Sequence, residues 1–344
     1  MFRSAPLKYG SLSLIIAGLG ATATVVETRG AGPVRAEESR IAFASHRDGN
    51  WEIYVTDPDG RQQRRLTRRE DQDRFPLWSP DHSKIAFGSQ VGGTPWELWL
   101  MAADGTAPRR LASHIVAKGF RHWSHDGTRI VFAAAIEREI EIFSVDIASG
   151  TTHRLTTSPG EDQDPSWSPD DHQIVFSSTR DGNREIYLMG ADGSRLRRLT
   201  DHPAADGSPV WAPDGSRIAF VSARDGDGDL YVIGLDDGRI ERLTTDAHAT
   251  RDMPLWSPDG SYIAIQTAAH DNYDIQLVRT ADHRRTVVAG TAVFEGQYSW
   301  SSQGNRLAFI SSRDGSDAMY VTDVTGRELK RLTMTSTLNP AWSP

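Results

Sequence analysis

An all-β fold built from a repeated sheet is predicted by three observations in the 344-residue sequence. An apolar triplet returns every 44 or 45 residues, at Ile41-Ala42-Phe43, Ile85-Ala86-Phe87, Ile130-Val131-Phe132, Ile174-Val175-Phe176, Ile218-Ala219-Phe220, Ile263-Ala264-Ile265 and Leu307-Ala308-Phe309. A tryptophan stands seven residues before each later triplet, at Trp78, Trp123, Trp167, Trp211, Trp256 and Trp300, and Trp342 closes the series. Between these marks, short β-like runs alternate with turn dipeptides rather than helical periods. A period of this length marks units that bury their apolar faces only against one another.

The unit around Ile174 shows the elements in order. Pro165-Ser166-Trp167-Ser168 is a first strand, and Pro169-Asp170-Asp171 turns into Ile174-Val175-Phe176-Ser177-Ser178. Asp181-Gly182-Asn183 turns into Glu185-Ile186-Tyr187-Leu188, and Asp192-Gly193 into Arg197-Arg198-Leu199-Thr200. Asp-Gly pairs supply the positive φ of tight hairpins. Four strands per 44 residues with a periodic aromatic predict a propeller blade. The tryptophan is expected between neighbouring blades, where a ring burying about 150–250 Å² would cost roughly 3–5 kcal/mol to remove. The fourth run carries an arginine before its leucine, at Arg65, Arg110, Arg154, Arg198, Arg242 and Arg331. These are expected to keep an exposed outer strand charged against edge-to-edge pairing.

The two ends complement each other. Ile41 has no tryptophan strand before it, and Trp342 has no triplet after it. A C-terminal strand completing the N-terminal blade predicts seven four-stranded antiparallel blades in a closed ring over residues 37–344; the competing count is six blades with an open remainder.

Residues 1–36 read as a signal peptide. Arg3 and Lys8 precede an uncharged stretch over residues 9–26, and Val34-Arg35-Ala36 offers a cleavage site. Glycines dilute the stretch too far for a good membrane span; an N-terminal anchor is the alternative. The mature chain would carry a net −11, against −8 for the whole. A chain this acidic is a poor ligand for nucleic acid phosphates. The absence of cysteine excludes disulfides, thiolate metal sites and cysteine nucleophiles. The expectation is a periplasmic, monomeric protein, with extracellular or membrane-anchored locations as alternatives.

Trp256-Ser257-Pro258-Asp259-Gly260 before Ile263-Ala264-Ile265, and Arg180-Asp181-Gly182-Asn183 before Glu185-Ile186-Tyr187, resemble the WD40-like repeats of TolB-type β-propellers across residues 41–344. The resemblance implies a periplasmic component of the Tol-Pal system, whose six-bladed propeller binds a lipoprotein at its channel mouth. Two departures are expected here: no N-terminal α/β domain, and seven blades.

Binding is expected in the loops entering the first strands, the least repetitive part of the unit. Asp73, Asp164, Asp206, Asp252 and Glu295, interspersed with Arg74, Arg121, His122 and Arg251, would ring one channel mouth. Such a mainly acidic funnel could take a basic peptide segment or a divalent cation; no other cofactor is expected. A second acidic series, Glu52, Glu97, Glu141, Glu185, Asp229 and Asp274, recurs too strictly for a site and is expected to pair with arginines such as Arg47, Arg180 and Arg224. Asp225-Gly226-Asp227-Gly228-Asp229 reads as a hairpin rather than a calcium loop, since no bidentate glutamate closes it. No Gly-x-Ser-x-Gly occurs. The function expected is therefore a non-enzymatic scaffold that binds an envelope protein or peptide at the mouth. The alternative is a metal-dependent carbohydrate-active lyase or hydrolase in the channel, for which His122, Asp164 and Asp206 are the nearest ligand set.

Overall fold

The computed structural model describes residues 39–344 except 138, 227, 246–247, 249–252, 270–271 and 291–293, and only the backbone of 116–121 and 269. The proposed signal peptide lies outside the described residues. Every regular element among the described residues is a β-strand.

The unit around Ile174 forms a four-stranded antiparallel sheet, Asp162–Trp167, Gln173–Ser178, Glu185–Gly190 and Arg197–Arg198, in sequence order. The units of Trp211, Trp256 and Trp300 repeat that order. Thr337–Trp342 pairs antiparallel with Ile41–Ser45, which continues to Glu52–Thr56 and Arg64–Arg65. One sheet thus takes its first strand from the C-terminal end of the chain and the other three from the region after residue 40, as expected from the complementary ends.

One sheet departs from the prediction. Arg109–Trp123 runs unbroken from the fourth strand of one unit into the first strand of the next, so two units merge into a seven-stranded sheet. Its first part pairs with Trp96–Ala102, its last with Arg129–Ile136. One local difference accompanies it: five other units follow the fourth-strand arginine with Leu-Thr, whose hydroxyl accepts a third-strand N–H at Thr67, Thr156, Thr200, Thr244 and Thr333, whereas here Leu111 is followed by Ala112.

The apolar triplets are the centre of each sheet, with Phe43, Phe87, Phe132, Phe176, Phe220 and Phe309 fully buried. Their clusters lie between units rather than within them. Trp167, Ile174 and Phe176 pack on Val131, Ala133 and Ile142 of the unit before, and Trp211, Ile218 and Phe220 pack on Val175, Ile186 and Leu188. The same relation joins Ile41, Phe43 and Trp342 to Ala308, Ile310 and Met319. Three indoles also donate across this gap to the residue preceding the previous tryptophan: Trp78 to Ala341 O at 3.2 Å, Trp123 to Leu77 O at 3.3 Å, and Trp300 to Leu255 O at 3.1 Å.

Turn chemistry sets the spacing. Ser79 accepts the Lys84 N–H at 2.9 Å and donates to Asp81 at 2.6 Å, and Ser168 and Ser257 repeat the pattern. Bonds from Ser79 and Ser83 lower the Asp81 carboxyl to about 2. In the Asp-Gly turn before the fourth strand, glycine meets a second demand. A Cβ on Gly105 or Gly193 would lie 2.9 or 2.6 Å from the carbonyl of Leu66 or Leu155 in the preceding unit.

Deleting residues 338–344 removes a paired strand and the buried Trp342. The loss should be at least the roughly 3–5 kcal/mol of one buried tryptophan, seen as a fall of roughly 10 °C in melting temperature. Unchanged melting in differential scanning calorimetry would contradict the role of this strand.

Candidate functional site

Third strands open with Glu52, Glu185 and Asp229, and four second strands lead into Ser-x-Arg, at Arg47, Arg180, Arg224 and Arg313, so charge is placed at one end of these sheets. Most of it is consumed internally. Arg180, Arg224 and Arg313 reach the first strand of their own sheet, Arg180 to Asp162 at 2.8 Å, Arg224 to Asp206 at 2.7 Å, and Arg313 to Glu295, and all three acid side chains are fully buried. The Arg180 guanidinium lies 5.3 Å from the Phe176 ring and 4.9 Å from the Tyr187 ring, and Ser178 accepts its Nε at 2.8 Å. The tyrosine hydroxyl in turn donates to the turn aspartate, Tyr187 to Asp181 and Tyr231 to Asp225. Asp225 thus serves its hairpin, while Asp227 lies outside the described residues.

The second acidic series has other partners than expected. Glu141 and Glu185 are buried, accept the hydroxyls of Thr156 and Thr200, and pair with the fourth-strand arginines Arg154 at 2.8 Å and Arg198 at 3.1 Å. Glu52 with Arg65 and Asp229 with Arg242 follow the same plan. These arginines therefore anchor the fourth strand to the third, beyond charging an edge, and Arg47, Arg180 and Arg224 are committed elsewhere. A fully buried carboxylate demands such partners.

The predicted mouth residues divide into three groups. Asp73, Asp206 and Glu295 are enclosed. Arg74, His122 and Asp164 are half-buried near the same strand ends, with Asp164 accepting from Ser177 Oγ at 3.1 Å. Arg251, Asp252 and the Arg121 side chain lie outside the described residues. Counting five residues back from each tryptophan finds Asp162, not Asp164, as the counterpart of Asp73, Asp206 and Glu295; that count is a signal the sequence contained.

What sequence reasoning missed is a bulge. In five first strands the register shifts, and the third residue before the tryptophan is left-handed: Phe75, Asp164, Ser208, Gln297 and Asn339, with φ between 50° and 56°. A non-glycine residue there costs roughly 1–2 kcal/mol. Bulges of this kind redirect side chains, and Gln297 Oε1 accepts the Asn339 N–H of the adjacent first strand at 2.8 Å.

The repeat is broken in several units, Val91, Ile136 and Ala269 replacing its arginine, and the sector of Asp73 is one of them. Val91 stands where Arg180, Arg224 and Arg313 stand elsewhere, leaving Asp73 without that arginine. Burial pushes the Asp73 carboxyl up to about 6. Arg69 instead comes from the preceding loop, pairs with Asp71, and lies 3.7 Å from the Trp99 ring centroid. Trp51 and Trp96 occupy the position just before the third-strand acid, where other units carry Ile140, Arg184, Gly228, Tyr273 and Asp317. Between them lies Arg74, 4.5 Å from the Trp51 centroid and 6.0 Å from that of Trp96. Phe75 meets Trp96 edge-on at 5.2 Å. Chemically, this sector offers a cation framed by aromatic rings. Among the described residues, no group of three or more His, Asp or Glu gathers as a metal site.

Residues 121–344 match the family model described as the TolB beta propeller domain. The Tol-Pal system protein TolB of Desulfosudis oleivorans is 43% identical over 58 residues, which span 17% of this chain and 13% of that protein. TolB from Acinetobacter baumannii superposes with a TM-score of 0.58 at 20% identity, covering 89% of this chain and 67% of that one. Oligogalacturonate lyase from Vibrio parahaemolyticus superposes with a TM-score of 0.67 at 19% identity, over 82% and 86% of the two chains. At these identities the solved structures establish the shared propeller fold.

The contrast between Asp73 and Asp162 is measurable. The folded-state pKa of Asp73, near 6, exceeds the unfolded value near 4. Its favourable contribution is therefore full below about pH 4 and lost as pH rises through about 6. Asp73→Asn should gain roughly 2–3 kcal/mol over the parent at pH 8 and nothing at pH 4, read from urea unfolding at both pH values. Arg180→Ala strands a buried carboxylate and should cost roughly 3–5 kcal/mol at pH 7; a loss below about 1 kcal/mol would show that the pair behaves as a surface one.

Proposed function

The chain belongs to the TolB β-propeller domain family, and on that premise we propose that it is an exported envelope protein that binds a protein or peptide partner at one mouth of a seven-bladed ring. The blade count is supported by the apolar clusters lying between successive units, including the one that joins Trp342 and Phe43 to Ala308. Closure is supported by the pairing of Thr337–Trp342 with Ile41–Ser45. Export rests on the charge and hydropathy pattern of residues 1–36. The Tol-Pal relative supports an envelope location and a protein partner.

The observation that carries the binding reading is the broken repeat. Buried ion pairs occupy the acid positions at Asp162, Asp206 and Glu295, whereas Trp51, Arg74, Phe75 and Trp96 form an asymmetric, half-exposed cluster at the same strand ends. A scaffold needs symmetry, and a recognition surface departs from it. In this reading Arg74, His122 and Asp164 touch the partner, and Arg121, Arg251 and Asp252, proposed from the sequence, contribute to the same binding. Asp73, Asp206 and Glu295 hold the strands that carry them. A second reading, a metal-dependent carbohydrate-active enzyme, draws on the likeness to oligogalacturonate lyase.

The test is capture of partners from envelope extracts with the tagged full chain, analysed by mass spectrometry. One envelope protein should be enriched by the parent and fall at least about tenfold with the Asp164→Ala/Asp252→Ala pair. Undiminished capture removes those residues from the site. A stoichiometric metal in protein purified without chelator, with a melting temperature lowered by EDTA, would favour the enzyme instead.

A further inference from the structure

Arg47, which donates to Ser45 Oγ and Gln63 Oε1, and Arg74 are arginines at these strand ends that face no buried carboxylate among the described residues. Arg180, Arg224 and Arg313 each face a buried carboxylate. Arg74 has no carboxylate partner among the described residues; its Nη2 donates to Gln72 Oε1 at 2.9 Å, and its Nε is buried without a hydrogen-bond partner. Burial lowers its pKa from the usual arginine value, yet a guanidinium remains charged at any physiological pH. The cation is thus held between Trp51 and Trp96 with its Nη1 making no hydrogen bond among the described residues.

Its surroundings set the chemistry of what would complete it. The ring contacts restrict the guanidinium's approach, since Trp51 also meets His46 at 5.5 Å and Trp96 meets Phe75 at 5.2 Å. Each indole thus has a further aromatic neighbour within the protein besides the guanidinium. The fork of N–H groups matches a carboxylate, which accepts two such bonds side by side. Partial desolvation by the indoles strengthens that bond over one in water. Of the acids expected to make this mouth negative, Asp206 and Glu295 are each paired with an arginine and Asp73 is enclosed.

We propose that Arg74, framed by Trp51 and Trp96, receives an Asp or Glu side chain of an acidic peptide segment in the protein partner. The inference rests on the partner-binding reading above and reverses the sign of the peptide that the acidic sequence of the mouth suggested.

The test is fluorescence anisotropy with the full chain and an end-capped, fluorescein-labelled glutamate-rich decapeptide. A lysine-rich decapeptide and tetragalacturonate serve as unlabelled competitors. Saturable binding that weakens with salt is expected, at least tenfold weaker in Arg74→Gln and less so in Arg74→Lys. Trp51→Leu/Trp96→Leu should weaken it too, which keeps the test decisive if Arg74→Gln melts early. Absence of peptide binding, equal binding by Arg74→Gln, or displacement by the lysine-rich peptide would overturn the proposal, as would binding of tetragalacturonate alone. Envelope capture separates the two levels. A partner retained equally by the parent and Arg74→Gln defeats this inference and leaves the partner-binding reading standing, whereas a parent that captures nothing defeats that reading.

Discussion

A four-stranded sheet of about 44 residues has two faces and nothing of its own to cover them, so every unit here depends on the face of the next. The tryptophan of the first strand is the means. Trp167 and Trp211 sit among the apolar residues of their own sheet and of the one before, while Trp78, Trp123 and Trp300 add an indole hydrogen bond to the preceding first strand. Burial of this size dominates the energetics of a small sheet. The same dependence gives the C-terminal strand its importance, since Thr337–Trp342 supplies the first strand for the sheet of Ile41.

Once the sheets are pressed together, their polar ends must be satisfied without water. Two tiers of buried carboxylates meet this demand, one paired with the arginine of the second strand and one with the arginine of the fourth. Each pair costs desolvation and returns geometry, fixing how strands end and where loops leave. The repetition has a functional corollary. Positions occupied by a pair in several units are structural, so a departure such as Val91 opposite Asp73, or Arg74 between two indoles, is where the molecule has been released to do something else.

Several features were legible because they are local. The Ser-Pro-Asp turn, the Asp-Gly hairpins and the apolar triplet each follow from residue chemistry over a few positions, and all appear where the spacing placed them. The merged seven-stranded sheet is not anticipated by the repeat, although Ala112, where five other units carry threonine, is visible in the sequence once sought. The spacing pairs the series of Glu185 with arginines such as Arg180, whereas Arg180 takes Asp162 and Glu185 takes Arg198, because the contest is between two carboxylates within one sheet and proximity in sequence does not decide it.

By itself the sequence determined the all-β class, the length of the unit, its four strands and the complementarity of its ends, because hydrophobic period and turn chemistry act over short distances. Tertiary structure alone decided which acids are spent on internal pairs, which side chains the left-handed bulges redirect, and that two tryptophans from different units meet one arginine. Those outcomes depend on how strands are staggered and sheets abutted. A carboxylate becomes structural or available according to whether a cation lies within about 3 Å of it after packing, and no spacing along the chain measures that distance.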